Sequence, residues 1–183
     1  MKFYEGINQI EKANRSIEQA YRMVAETTIH AFLFTWRWWI GVGMIIIPWL
    51  LWAIFRKKES SARLLFSAFI FVILATQFDT IGVGYGKWSY PIKVVPLPTI
   101  SYVYLYSFLP VLFMFFIQIR PNIHPLIKAI LFGLVSSYVG LPILSMLDMY
   151  KRMDWAYTYS FFILIFLYLI AYWFSLRKSF AEI

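Results

Sequence analysis

Polar and apolar positions divide the chain into two unlike parts. Over residues 1–30 the apolar side chains stand singly. Phe3, Ile7, Ile10, Ile17, Tyr21 and Val24 recur at spacings that alternate between four and three, with Asn14 and Thr28 completing the series. That is the heptad seam of an α-helix, and Asn14 takes an a-type position, where one polar residue can fix register and oligomer state. The pattern predicts a helix over residues 3–28 that turns Ile7, Ile10, Asn14 and Ile17 toward protein, a second copy of the chain included. A helix lying on a membrane surface is the alternative, and such helices carry an excess of Lys and Arg. Here Lys2, Lys12, Arg15 and Arg22 are matched by Glu5, Glu11, Glu18 and Glu26.

From residue 31 onward the apolar residues come in long blocks, at about 38–55, 64–79, 101–119, 125–147 and 155–176. A helix rising 1.5 Å per residue needs about 20 residues to cross the hydrocarbon of a bilayer. The blocks therefore predict an all-α, polytopic transmembrane bundle of five spans over residues 31–183, preceded by the amphipathic helix of residues 1–30. The second block is short, so its ends must take in Arg63, Asp79 or the glycines beyond. Trp36, Trp38, Trp39, Trp49, Trp52, Trp155, Tyr157, Tyr159, Tyr172 and Trp173 cluster at block ends, as interfacial anchors do. Pro48, Pro110 and Pro142 fall inside blocks, where each removes a helix donor and predicts a kink.

Composition agrees with this division. Hydrophobic residues make up 61% of the chain and charged residues 14%, against about a quarter charged in soluble domains. There is no cysteine, which excludes disulfides, thiolate metal sites, cysteine nucleophiles and lipid attachment at cysteine. The net charge of +8 would suit a nucleic-acid partner. The basic residues sit at block ends, however, notably Arg56, Lys57, Lys58 and Arg63, where topology signals belong, so the expected partner is the lipid bilayer and not nucleic acid. With five spans, one side holds Arg56, Lys57, Lys58, Arg63, Arg120, Lys128, Arg177 and Lys178, eight in all, against six on the other: Arg22, Arg37, Lys87, Lys93, Lys151 and Arg152. This bias places the C-terminus in the cytoplasm and the N-terminus outside. The first apolar block begins near Ala31, too late for a signal peptide, and no small-residue cleavage site follows it.

Candidate chemistry concentrates between Gln77 and Pro98, the connector of the second and third blocks. It holds an acid, Asp79, at the block border, then Gly82, Gly84 and Gly86, then Trp88-Ser89-Tyr90-Pro91, then Pro96 and Pro98. Glycine permits close backbone approach and proline stiffens, so the connector is expected to be ordered, packed over the span ends, with Asp79, Trp88 and Tyr90 facing protein. The plainer reading is a structured connector with Trp88 and Tyr90 at the interface. Asp79, Trp88, Tyr90 and Pro91 form the candidate functional loop, because ionisable groups at a span are costly and often functional. Val83-Gly84-Tyr85-Gly86 resembles a potassium-channel filter, but Gly82 replaces the leading threonine and Lys87 the following acid, so the match is read as chance. Asp148 and Asp154 flank Lys151 and Arg152 and are expected to be solvated. His30 and His124 stand alone, so neither a metal nor a cofactor is expected, and no GxSxG, HExxH or P-loop pattern occurs.

These residues also carry a resemblance. Asp79, Trp88-Ser89-Tyr90-Pro91, Tyr106-Ser107-Phe108 with Pro110, Gln118, Pro142, Tyr150, and Trp155 followed by Tyr159 resemble a family of small five-span integral membrane proteins from Bacillus and Clostridium relatives whose activity is uncharacterised. The resemblance covers about residues 35–180 and implies a bacterial cytoplasmic membrane. In the family pattern an acid stands where this chain has Ser107, and another where it has Leu141. Without them an acid-based membrane enzyme loses its support. The expected role is a non-enzymatic membrane component or accessory subunit, alone as a homo-oligomer or within a larger membrane assembly. Two alternatives stay open: a membrane-embedded enzyme acting on an apolar lipid through Asp79 and the tyrosines, and a channel or transporter subunit.

Overall fold

The computed structural model describes residues 2–97 and 100–176. Pro98 of the connector and Arg177 and Lys178 of the basic C-terminus lie outside the described residues. The fold is all-α. Helix α1 (Phe3–Thr27) runs on through a π turn (Thr28–Phe32). After Phe34, at φ +62°, follow α2 (Trp36–Phe55), α3 (Lys58–Gly84), α4 (Tyr104–Gln118), α5 (Pro125–Met146) and α6 (Tyr157–Ser175). Four of these, α2, α3, α5 and α6, are long and apolar enough to cross a membrane. At 1.5 Å per residue α4 reaches only about 22 Å. It is also well enclosed, with Tyr104, Leu105, Ser107, Leu109, Pro110, Val111, Phe113 and Met114 all buried.

The core joins α3 to α6, and each contributes one fully buried aromatic ring: Phe71, Phe113, Phe132 and Tyr168. Phe71 stacks on Phe113 at 5.1 Å between centroids, and Tyr168 meets Phe113 and Phe132 at 5.1 and 5.2 Å. Small residues let the helices close around these rings. Ala68, Ala75, Ala129 and Ala171 are buried, and a Cβ at Gly133 would press on the Phe161 carbonyl at 3.1 Å.

Helix α2 is peripheral, and prolines fasten it. Pro110 has no N–H to offer the Tyr106 carbonyl four residues back. The Trp49 indole donates to that carbonyl instead, at 3.1 Å. Pro48 in α2 likewise withholds an N–H from the Met44 carbonyl, and at the next residue the Ser107 hydroxyl donates to the Ile45 carbonyl at 2.7 Å. In α4 and α5 the prolines follow π turns, Tyr104–Phe108 before Pro110 and Val135–Gly140 before Pro142. A wider turn makes room where a proline ring would otherwise strike the preceding carbonyl.

The end of the second span differs from that expected. The second span runs on past residue 79 to Gly84, so Asp79 sits within a helix and not at its border. Helix α3 then ends in a Schellman motif: Gly86, at φ +67°, donates to Val83, and Lys87 donates to Gly82. The filter-like run is therefore a helix end and its cap.

Candidate functional site

The start of α2, the end of α3 and the start of α6 lie at one end of the bundle, and two connectors close over them. Strand β1 (Trp88–Ser89) pairs antiparallel with β2 (Lys151–Arg152), Trp88 opposite Arg152. Ile92 N–H donates to the Asp148 carbonyl at 3.2 Å and Met153 N–H to the Lys87 carbonyl at 3.1 Å. The Trp38 indole of α2 donates to the Val94 carbonyl at 3.0 Å, and Arg37 meets Asp148 at 3.0 Å. Asp148, expected to be solvated, is thus one side of a partly exposed ion pair. Two helical glycines let the connector seat this closely: a Cβ at Gly82 would overlap the Trp88 indole, and one at Gly41 would overlap Val94.

Asp79 lies beneath this cap, 5% exposed. The Trp88 indole donates to its Oδ1 at 2.9 Å, and the Tyr90 hydroxyl donates to the same oxygen at 2.6 Å. Its Oδ2 is buried with no hydrogen-bond partner. Three of the four residues singled out in the sequence therefore converge on one oxygen, while Pro91 lies exposed on the outer surface. Of the seam residues of α1, Ile7, Ile10, Asn14 and Ile17 are all exposed or nearly so, and no residue of α1 is buried.

The site extends beyond those residues. Trp88 packs on Phe78 and on Trp155, at 6.1 and 5.0 Å between centroids, and the Trp155 indole donates to Ser160 Oγ at 2.9 Å. Tyr104 sits nearby and donates to the Ser136 carbonyl in the α5 π turn at 3.0 Å. Asp79, Trp88, Tyr90, Tyr104 and Tyr150, with apolar residues of α4 to α6, surround a cavity of about 50 Å³. In the sequence Trp155 has the position of an interfacial anchor and is one of the residues that carry the resemblance, but nothing there places it against Trp88.

Electrostatics at the cap follow from burial. The Tyr90 hydroxyl is pushed well above its ordinary value of 10.0, first by burial and then by the adjacent Asp79 charge. Burial also raises Tyr150, with Tyr157 and Asp79 adding to it, and Tyr90 and Tyr150 stay neutral donors through the physiological range. Burial lowers Lys93, and the Asp79 charge partly opposes this. Among the described residues no three His, Cys, Asp or Glu side chains gather to hold a metal ion. The arrangement can hold a carboxylate between two aromatic donors. Among the described residues no second carboxyl group reaches that oxygen.

Compared with known proteins, the chain matches no family model, no curated protein and no solved structure.

Proposed function

We propose that the chain is a non-enzymatic, multi-pass membrane component that anchors its N-terminal helix for pairing with a second copy. The observation that carries this reading is the state of α1. Its 25 residues bury nothing, yet they present a continuous apolar seam with Ile10 64% exposed. Over residues 1–30 four basic and four acidic side chains cancel, so an anionic lipid surface offers this segment no net attraction. A second identical seam would cover it. The Asp79 cluster supports the same reading from the bundle side. Small-molecule sites usually enclose about 300–1,000 Å³, and the cavity under the cap is far smaller. Asp79 then serves as the fastening of the cap at the end of the bundle where α2 begins, and α2 to α6 serve as the anchor.

The absence of cysteine makes a clean test possible. Single variants Ile10→Cys and Ile17→Cys are placed on the seam, and Ser16→Cys and Gln19→Cys off it. Oxidation in native membranes should cross-link the first two into dimers and leave the other two monomeric. Equal cross-linking at all four positions, or none at the seam, would overturn the pairing. Asn14→Leu should change the oligomeric state while leaving the bundle folded.

A further inference from the structure

At the end of the bundle opposite the cap, cations line a basin that no acid among the described residues joins. The basin lies among the start of α3, the end of α4, the start of α5 and the end of α6, with a volume of about 280 Å³. Lys57, Arg63 and Lys128 contribute to its wall, and none of them meets a carboxylate among the described residues. Lys128 is the unusual member, only 4% exposed. Its ammonium donates to the Ile117 carbonyl at 2.9 Å and to the Ile119 carbonyl at 2.8 Å, at the end of α4. An ammonium has three hydrogens, so one remains. Gln118 fixes the neighbouring wall. Its Oε1 accepts from the Lys57 N–H at 2.9 Å, and its Nε2 donates to the Phe55 carbonyl at 2.8 Å.

A buried cation costs free energy unless it is paired. Carbonyl dipoles pair Lys128 only in part, and the other two cations leave the basin positive. Leu64, Ile117, Pro121 and Leu176 supply apolar wall beside the polar Ser60, Gln118 and Ser175. Positive charge above an apolar wall, at the ends of hydrophobic helices, matches a phosphate joined to hydrocarbon. Basic pockets between membrane helices take such headgroups, and each Lys or Arg near the surface adds about 1 kcal/mol of attraction. We infer that this basin binds the phosphate headgroup of an anionic phospholipid, with the third Lys128 hydrogen, Lys57 and Arg63 directed at the phosphate oxygens. The acyl chains would descend past Leu64 and Leu176. The inference is independent of the pairing of α1, which joins the bundle at the start of α2, the capped end.

The full chain, purified in detergent and placed in nanodiscs, supplies the test. Phosphatidylglycerol in a phosphatidylcholine background should be retained and should raise the unfolding temperature, whereas inorganic phosphate at matching concentration should not. The double variant Lys57→Gln/Arg63→Gln should weaken phosphatidylglycerol retention by roughly tenfold or more. Its unfolding temperature in phosphatidylcholine alone should stay that of the parent. Lys58→Gln, which removes an exposed charge outside the basin at the same end, should change retention little. An equal loss in Lys58→Gln, or equal retention of phosphatidylcholine, would overturn the site. Stabilisation by inorganic phosphate as large as by the lipid would overturn the assignment to lipid.

Discussion

The two ends of the bundle each enclose charge, and they do it in opposite ways. At the capped end one carboxylate lies under two loops, both donors supplied by aromatic side chains, around a cavity of about 50 Å³. At the other end three cations line a basin of about 280 Å³. The capped end draws its partners from the chain itself: Trp88, Tyr90 and the strand from the opposite connector. The basic end satisfies Lys128 only with the carbonyls of Ile117 and Ile119. Charge met by side chains of the fold reads as structure, and charge left without a counter-ion reads as a place for an outside ligand.

Removing the centre of the closed end should have the largest effect. Asp79→Ala leaves the Trp88 indole and the Tyr90 hydroxyl buried without an acceptor. At about 1–3 kcal/mol for each orphaned donor, roughly 2–6 kcal/mol of cap stability should be lost. Trypsin cleavage at Lys87 and Lys93 reads the opening. Asp79→Asn keeps a carbonyl oxygen for both donors and should lose much less. If Asp79→Ala resists trypsin like the parent, the carboxylate does not hold the cap.

Gly82→Ala tests the same closure without touching a polar group. The new Cβ would occupy the space of the Trp88 indole, and overpacking of this kind costs about 1–3 kcal/mol. Cleavage at Lys87 should rise while the unfolding of the bundle core changes little. A protected connector in this variant would mean that the indole has another seat.

Lys128→Met probes the open end. It strands the Ile117 and Ile119 carbonyls, but water from the basin can reach them, so the loss should be about 1–2 kcal/mol. The cap should stay protected from trypsin. A variant that opened the cap would show the two ends to be coupled.

Alkaline pH acts on the closed end through two groups of opposite sign. Tyr90 has a raised value in the fold, so the stability it contributes is complete below its ordinary value of 10.0 and falls as pH climbs beyond it. The decline is at most about 1.4 kcal/mol per pH unit. Lys93, lowered in the fold, works the other way and adds stability as pH rises toward 10.5. Cap opening monitored by tyrosinate absorbance should therefore set in above pH 10, and Tyr90→Phe should flatten the profile. An unchanged profile in Tyr90→Phe would remove Tyr90 as the cause. The smallest effect belongs to Arg37→Gln, which breaks a partly exposed pair with Asp148 and should shift stability by less than about 1 kcal/mol. A larger loss would make that pair a principal fastening of the cap.

Much of this architecture is legible in the order of residues alone. Long apolar blocks, a charged N-terminal heptad and a crowded connector predict helices, an amphipathic N-terminal helix with a protein-facing seam and an ordered loop, and Asp79, Trp88 and Tyr90 stand out as unusual residues in that loop. The end of α3 is harder to read, because glycines at positions 82, 84 and 86 suggest a loop, whereas Gly82 and Gly84 are helical and only Gly86 takes a left-handed angle. Trp49 and Trp155 have the positions of interfacial anchors, and each instead donates its indole N–H inside the protein. Ser107 stands where the resembled pattern has an acid, and it ties α4 to α2.

By itself the sequence determined that the chain folds into apolar helices, because backbone N–H and C=O groups in hydrocarbon must pair within their own segment, and long apolar blocks with charged ends leave no other ready pairing. It also determined the neutral seam of α1, since a heptad repeat is a local pattern. Only the tertiary structure decided which face of each span looks inward. Lipid and protein core are equally apolar, so Phe71, Phe113 and Phe132 carry no mark in the sequence that separates them from the outward-facing Phe69 or Phe166. Tertiary structure also decided that Asp79 meets Trp88 and Tyr90, and that residues 88–89 meet residues 151–152. Pairing of two connectors some sixty residues apart depends on how α4, α5 and α6 bring their ends together, and no local pattern encodes that distance.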